Sequence, residues 1–115
     1  MTTRSFTITQ PTQLHFGENA IQSLPRVIKS FGGSKPLVVI DPGLAMAGLD
    51  ADITAPLSEA GMKFTVTSKV DPEPGLRLAD GAAQLAKKNK CDCVVGAGGG
   101  SAMDIAKAAA ILLTN

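Results

Sequence analysis

The sequence contains no tryptophan and no tyrosine, so phenylalanine alone makes up its 3% of aromatic residues. Proteins that bind single-stranded nucleic acids stack the bases on aromatic side chains, which this sequence can hardly supply. Charge gives the same indication, because the formal net charge is only +1 and the longest basic run is the pair Lys87-Lys88. We therefore expect no nucleic-acid partner.

The sequence also lacks a long apolar stretch and has few cysteines. No segment approaches the ~20 apolar residues of a membrane span, and residues 1–11 are polar, unlike a signal peptide. We expect a cytoplasmic protein without a membrane partner. The two cysteines, Cys91 and Cys93, begin a predicted strand, where they would face the same side. With His15 as the only histidine they make a poor metal site, and we interpret both as buried or half-buried thiols.

Hydrophobic residues make up 44% of the sequence and charged residues 18%, which is typical of a folded globular domain. A chain of 115 residues forms one domain with a real hydrophobic core. The same length is small for a complete enzyme that binds two substrates. We therefore expect residues 1–115 to be a single domain.

Helical and strand patterns alternate along the chain after a short N-terminal β-ribbon at residues 5–16. Such alternation requires a parallel sheet with right-handed crossovers. The sequence thus predicts an α/β fold, a three-layer open parallel sheet of the Rossmann-like kind. Pro25 should begin a new turn or a kink in the first helix, and Pro56 should break the second. The predicted strands cover residues 36–40, 64–67 and 93–96, and the predicted helices cover residues 20–31, 51–60, 76–88 and the stretch from Ala102 onward.

The most informative segment is the glycine-rich turn that follows the last predicted strand. Glycine removes the Cβ that would keep a bulky anion away, and the helix that follows presents free N–H groups at the positive end of its dipole. This arrangement predicts a phosphate site formed by Gly98, Gly99, Gly100 and Ser101. Two structural interpretations stay open: the glycines could serve only close packing of helix on strand, and Ser101 with Asp104 could form a capping box.

A carboxylate, Asp41, follows the apolar run at residues 36–40. If that strand is central, with the strands at 64–67 and 93–96 on its two sides, Asp41 meets the turn at Gly98 where the chain direction reverses. A carboxylate there can bind the ribose diol of a dinucleotide and would repel a 2′-phosphate, so the sequence favours NAD over NADP. The alternative is that Asp41 only initiates the turn before Pro42-Gly43.

The motif GGGSAMDIAK at residues 98–107 resembles the GGGSxxDxAK motif of the iron-containing, group III alcohol dehydrogenases. The segments LHFGENAIQSL at 14–24 and VVIDPG at 38–43, and the loop near Pro72 and Pro74, resemble the family in order and spacing. The resemblance covers the whole chain. It implies an N-terminal domain like that of dehydroquinate synthase, with NAD as cofactor.

By this resemblance, Asp41 binds the adenosine ribose, and Gly98, Gly99, Gly100 and Ser101 bind the pyrophosphate. The loop from Asp71 to Pro74 borders the cofactor, although relatives often carry asparagine where Glu73 stands. The resemblance also implies a homodimer formed through the N-terminal strands and a small alcohol or aldehyde as substrate.

The family holds Fe(II) or another divalent metal with residues of a later helical domain, which this sequence does not contain. We therefore expect no metal ligand and no catalytic residue in the chain, which would be an N-terminal fragment, inactive alone, of a longer enzyme.

Two other classes of function remain open from the sequence. A glycerol or glycerol phosphate dehydrogenase, or a dehydroquinate synthase-like enzyme, would share the phosphate site but use a different substrate. A phosphate-binding module without redox activity is the alternative that is not an enzyme.

Overall fold

The computed structural model describes residues 17–68 and 76–114. The predicted ribbon at residues 5–16, which includes His15, and the loop from Asp71 to Pro74 lie outside the described residues. No helix within the described ranges is long and apolar enough to cross a membrane.

A three-stranded parallel sheet forms the centre of the fold. Its strands are β1 (Pro36–Ile40), β2 (Thr65–Thr67) and β3 (Cys93–Ala97), in the spatial order β2-β1-β3. Val38 lies opposite Val66 on one side and Val95 on the other. All five residues of β1 are buried, because the strand has a neighbour on each side and helices on each face. The α/β class, the parallel pairing and the central position of β1 are as predicted.

The helices follow the predicted order, and one of the two predictions made for their prolines is confirmed. Pro25 lies at the start of α1, where its missing N–H costs no hydrogen bond, as expected. Pro56 does not break α3, and that expectation was wrong: the helix runs through the proline, which is buried in the fold. The helical elements are a 3₁₀ turn (Ala20–Ser23), α1 (Leu24–Ser30), α2 (Pro42–Met46), α3 (Asp50–Glu59), α4 (Leu76–Lys88) and α5 (Gly100–Thr114).

Two apolar clusters cover the two faces of the sheet. Alternate residues of β1 point to opposite faces, so Leu37 and Val39 belong to one cluster and Val38 and Ile40 to the other. Helices α4 and α5 contribute to the first cluster, whereas α1 and α3 contribute to the second. The result is a three-layer arrangement with α4 and α5 side by side on one face of the sheet.

The two cysteines face different layers, and the expectation that they share a face was wrong. Cys91 belongs to the cluster beside α4 and α5, whereas Cys93 packs on the cluster beside α1 and α3. The reason is that β3 begins only at Cys93, so strand alternation does not extend back to Cys91. Both thiols are free, as expected. Burial and the neighbouring Asp92 carboxylate raise the pKa of Cys93 to about 12, so its thiol stays protonated.

Gly96 in β3 lets α5 approach the sheet closely. A Cβ at this position would lie 2.7 Å from the Cβ of Ala106 and 3.4 Å from the sulfur of Met103. At least this glycine therefore serves helix-on-strand packing, the structural interpretation that the sequence left open. Gly96 therefore affects the predicted phosphate site only indirectly, because it sets how close the N-terminus of α5 lies to the end of β3.

Hydrogen bonds of Asp92 link the beginning of β3 to the segment before β1. Its carboxylate accepts hydrogen bonds from the Ser34 and Lys35 amides at 2.9–3.0 Å and from the Ser34 hydroxyl at 2.7 Å. Its own amide donates to the Lys35 carbonyl. Burial by itself raises the pKa of Asp92, but these hydrogen bonds outweigh it and hold the pKa well below its ordinary value.

We expect Asp92→Asn to lower the free energy of unfolding at pH 7, because it removes the charge from these hydrogen bonds. The loss should be only about 1–2 kcal/mol, because the carboxylate is exposed and solvent screens its charge. The lowered pKa means that the native state favours the ionised carboxylate. Its contribution is therefore present above the unfolded pKa of about 3.9 and is lost as the pH falls below it. Urea unfolding between pH 7 and pH 2 measures this: the gap between parent chain and variant should shrink toward acid. Asp80→Asn, an exposed aspartate on α4, is the control, and an equal loss there would contradict the assignment.

Candidate functional site

The end of β1 and the end of β3 lie side by side, and this brings Asp41 to the glycine-rich turn. The Asp41 amide donates a 2.9 Å hydrogen bond to the Ala97 carbonyl, which continues the ladder between the two strands to its last residue. Asp41 and the turn that begins at Gly98 therefore share one rim of the sheet. This is the rim formed by the carboxyl ends of the parallel strands, where open α/β sheets bind ligands.

Gly98 and Asp41 are in direct contact, and only glycine allows it. A Cβ on Gly98 would overlap the Cβ of Asp41 and lie 3.3 Å from its Cγ. The backbone of Gly98 also has a φ of +130°, a conformation that other L-residues rarely adopt. Steric space and backbone conformation both require glycine at this position.

The Asp41 carboxylate has a structural partner and a side that faces the turn. Its Oδ1 accepts a 2.7 Å hydrogen bond from the Gly43 amide, which makes Asp41 the N-cap of α2. Its Oδ2 faces Gly99, where a Cβ would lie 3.8 Å away. The turn-initiating role that the sequence left open is thus real, and it leaves one carboxylate oxygen directed at the glycine turn.

Helix α5 begins directly after Gly99. The Met103 amide donates to the Gly99 carbonyl at 3.2 Å, so the helical ladder starts at this residue. The first N–H groups of a helix lack acceptors within it and carry its positive dipole end. Gly100 and Ser101 belong to this first turn, and Ser101 therefore follows the helix start and is not its N-cap. Helix α5 thus begins two residues before the predicted start at Ala102, and the capping box that the sequence left open, with Ser101 as N-cap, does not match this boundary.

No group of three or more histidine, cysteine, aspartate or glutamate side chains within residues 17–68 and 76–114 could hold a metal ion. One feature of the site was missed from the sequence. It is α2, which follows Asp41 where the sequence left open only a Pro-Gly turn, although proline after an N-cap aspartate is a known helix start. The meeting of Asp41 with the turn at Gly98 was predicted from the strand order, and the structure adds that the two residues are in direct contact.

A parallel α/β sheet with a helix N-terminus and an acidic residue at one rim defines the class of Rossmann-like domains. The family model "Iron-containing alcohol dehydrogenase" matches residues 11–115. The chain belongs to the iron-containing alcohol dehydrogenase family.

Individual relatives agree with the family match. Long-chain-alcohol dehydrogenase 1 from Geobacillus thermodenitrificans is 40% identical over 102 residues, which are 89% of this chain and 26% of that protein. Choline dehydrogenase from Bacillus subtilis is 38% identical over 105 residues, covering 91% of this chain and 26% of that protein. The chain thus spans about a quarter of the length of the curated relatives it matches, at their N-terminal portion.

Solved structures show the same fold. NADH-dependent butanol dehydrogenase A from Thermotoga maritima superposes with a TM-score of 0.79 at 33% identity, covering 91% of this chain and 27% of that chain. Sulfoacetaldehyde reductase from Bifidobacterium kashiwanohense, solved in complex with NAD⁺, superposes with a TM-score of 0.79 at 25% identity, covering 97% and 29%.

Proposed function

We propose that the chain is the nucleotide-binding domain of an NAD-dependent, iron-type alcohol dehydrogenase that interconverts a small alcohol and an aldehyde. The observation that carries this proposal is the contact between Asp41 and Gly98 at the N-terminus of α5. This contact places a carboxylate next to the predicted phosphate site, so that one dinucleotide can bind to both. When bound, NAD accepts or donates the hydride of the reaction.

The rim of the sheet fits the two ends of an ADP moiety. The amides of the α5 first turn, at Gly100 and Ser101, bind the pyrophosphate, because they supply donors and a positive dipole. Gly98 and Gly99 have no Cβ, so the phosphates can approach the backbone closely. Oδ2 of Asp41 accepts hydrogen bonds from the ribose hydroxyls, while Oδ1 stays bonded to the Gly43 amide. The carboxylate also repels a 2′-phosphate, which favours NAD over NADP.

Relatives and fold support the redox function over the alternatives. One relative, at 30% identity, is an NAD-dependent methanol dehydrogenase from Bacillus methanolicus. The family match does not favour a glycerol dehydrogenase, a dehydroquinate synthase-like enzyme or a module without redox activity.

Fe(II) or another divalent metal belongs to the complete enzyme in this proposal. We assign no residue of this chain to the metal. The contribution of this chain to the reaction is therefore nucleotide binding. The complete enzyme would be a cytoplasmic homodimer paired through the N-terminal strands.

Titration of the chain with NAD, AMP and inorganic phosphate tests the proposal. Calorimetry should give an affinity order of NAD above AMP and AMP above phosphate, because each smaller ligand loses a set of contacts. A dinucleotide that bound no more tightly than phosphate would contradict it and would favour a plain phosphate-binding module. The chain alone should not oxidise a primary alcohol with NAD.

A further inference from the structure

Hydrogen bonds on both sides of Asp41 fix its backbone. Its amide donates to the Ala97 carbonyl at 2.9 Å, and its carbonyl accepts from the Leu44 and Ala45 amides at 3.0 and 3.2 Å. These bonds set the position of the Cα, but the carboxylate can still rotate about the bonds of its side chain. A carboxylate oxygen that binds a ribose has to point in one direction, so a further contact is needed to stop this rotation.

The Gly43 amide supplies that contact. It donates to Oδ1 of Asp41 at 2.7 Å, a short distance that is typical of a hydrogen bond to a charged acceptor. The first N–H groups of a helix have no acceptor within it, so this amide is available to the carboxylate. With Oδ1 held in this way, Oδ2 is directed at Gly99, where a Cβ would lie 3.8 Å away.

Gly43 is glycine at a position where the fold itself does not require one. The residue lies within α2, is exposed, and is not among the residues with a positive φ. Alanine is more favourable than glycine within a helix. Outside its own helix backbone and chain neighbours, the described atom that a Cβ on Gly43 would meet is Oδ1 of Asp41, at 3.1 Å, and the carboxylate would have to move by a few tenths of an ångström. The missing Cβ therefore serves the position of this carboxylate.

We propose that Gly43 is a positioning residue for the nucleotide. Its amide and its lack of a Cβ hold the Asp41 carboxylate with Oδ2 toward the ribose of an NAD whose pyrophosphate lies at the first turn of α5. This inference rests on the proposed function. Gly43 acts through Asp41 and favours a ribose with both hydroxyls free, because these donate to the oriented oxygen and a 2′-phosphate cannot. The alternative is that Gly43 serves only the start of α2.

The orientation of Asp41 can be measured without a nucleotide. Replacing Gly43 by glycolic acid turns its amide into an ester, which removes the N–H and adds no side chain. NMR three-bond couplings to the Hβ protons of Asp41 should show a single χ1 rotamer in the parent chain and averaged values in the ester. Averaging already present in the parent chain would overturn the inference, as would a single rotamer retained in the ester.

Binding to Gly43→Ala separates positioning from a general distortion of the site. NAD affinity should fall about tenfold, because hydrogen bonds to a charged group supply roughly 10- to 100-fold and the carboxylate is displaced rather than removed. Inorganic pyrophosphate, which has no ribose, should bind as it does to the parent chain. Gly81→Ala, at another exposed helical glycine where a Cβ would meet nothing within 4 Å, is the matched control and should alter neither affinity. Equal losses for NAD and pyrophosphate in Gly43→Ala would contradict a positioning role.

The effect of Gly43→Ala should also depend on the carboxylate. In an Asp41→Ala background, adding Gly43→Ala should change NAD affinity by less than about twofold, because no carboxylate is left to displace. The same loss in both backgrounds would overturn the inference and assign Gly43 to the start of α2 alone.

These measurements distinguish this inference from the proposed function. A parent chain that bound NAD no more tightly than pyrophosphate would contradict the proposed function. A chain that bound NAD tightly, but lost the same affinity on Gly43→Ala with and without the Asp41 carboxylate, would contradict only the role of Gly43.

Discussion

Replacing Gly98 by alanine is expected to weaken NAD binding about 100-fold. The new Cβ would overlap that of Asp41, and the φ of +130° is strained for alanine. Overpacking costs about 1–3 kcal/mol and a left-handed conformation about 1–2 kcal/mol, so a total near 3 kcal/mol is reasonable. If the chain relieves this by moving the turn away from Asp41, the binding-competent form falls to about 1% of the population and the apparent Kd rises in proportion.

The control is Gly81→Ala, in the middle of α4, where a Cβ would meet nothing within 4 Å. That variant should bind NAD like the parent chain and unfold at higher urea concentration, because alanine favours a helix by about 1 kcal/mol. Calorimetric titration of the two variants measures the difference. Binding by the Gly98 variant that matched the parent chain would show that the contact with Asp41 is unimportant for the nucleotide.

Replacing Asp41 by asparagine should change which nucleotide the chain prefers. Asparagine keeps an oxygen that can accept the Gly43 amide, so the start of α2 is retained while the negative charge is removed. Hydrogen bonds to a charged group contribute about 1.5–3 kcal/mol, so NAD affinity should fall about 10- to 100-fold. NADP affinity should rise, because the 2′-phosphate no longer meets a carboxylate.

Glu59→Gln is the matched control for this change of charge. Glu59 is exposed at the C-terminal end of α3 and carries the same charge as Asp41. Its replacement should leave both affinities unchanged. An Asp41 variant that kept the parent preference for NAD would mean that the carboxylate acts only as the N-cap of α2.

Much of the fold follows from the sequence because its signals are local. The apolar run at 36–40 predicts a strand buried on both faces, and the structure confirms the central position assumed for it between β2 and β3. The predicted bounds of α4 match the structure at both ends, since a basic last turn marks where it stops. The meeting of Asp41 with the glycine turn follows from strand order alone.

The details that were missed depend on tertiary contacts. Pro56 is tolerated because it is buried against the rest of the fold, which overrides its local preference for breaking a helix. The bonds from Asp92 to residues 34 and 35 join segments that are 57 and 58 residues apart, so no local pattern indicates them. The separation of Cys91 from Cys93 depends on where β3 begins, and strand ends are poorly defined by sequence.

The central claim is that Asp41 and the first turn of α5 bind one nucleotide from its two ends. NMR titration of the ¹⁵N-labelled chain with NAD tests it most directly, because backbone amides report contact residue by residue. We expect the amide signals of Asp41, Gly99 and Gly100 to shift together along one binding curve, and those of residues 86–92 at the opposite rim to stay in place. Shifts confined to the helix start with Asp41 unmoved, or two curves with different affinities, would contradict the claim.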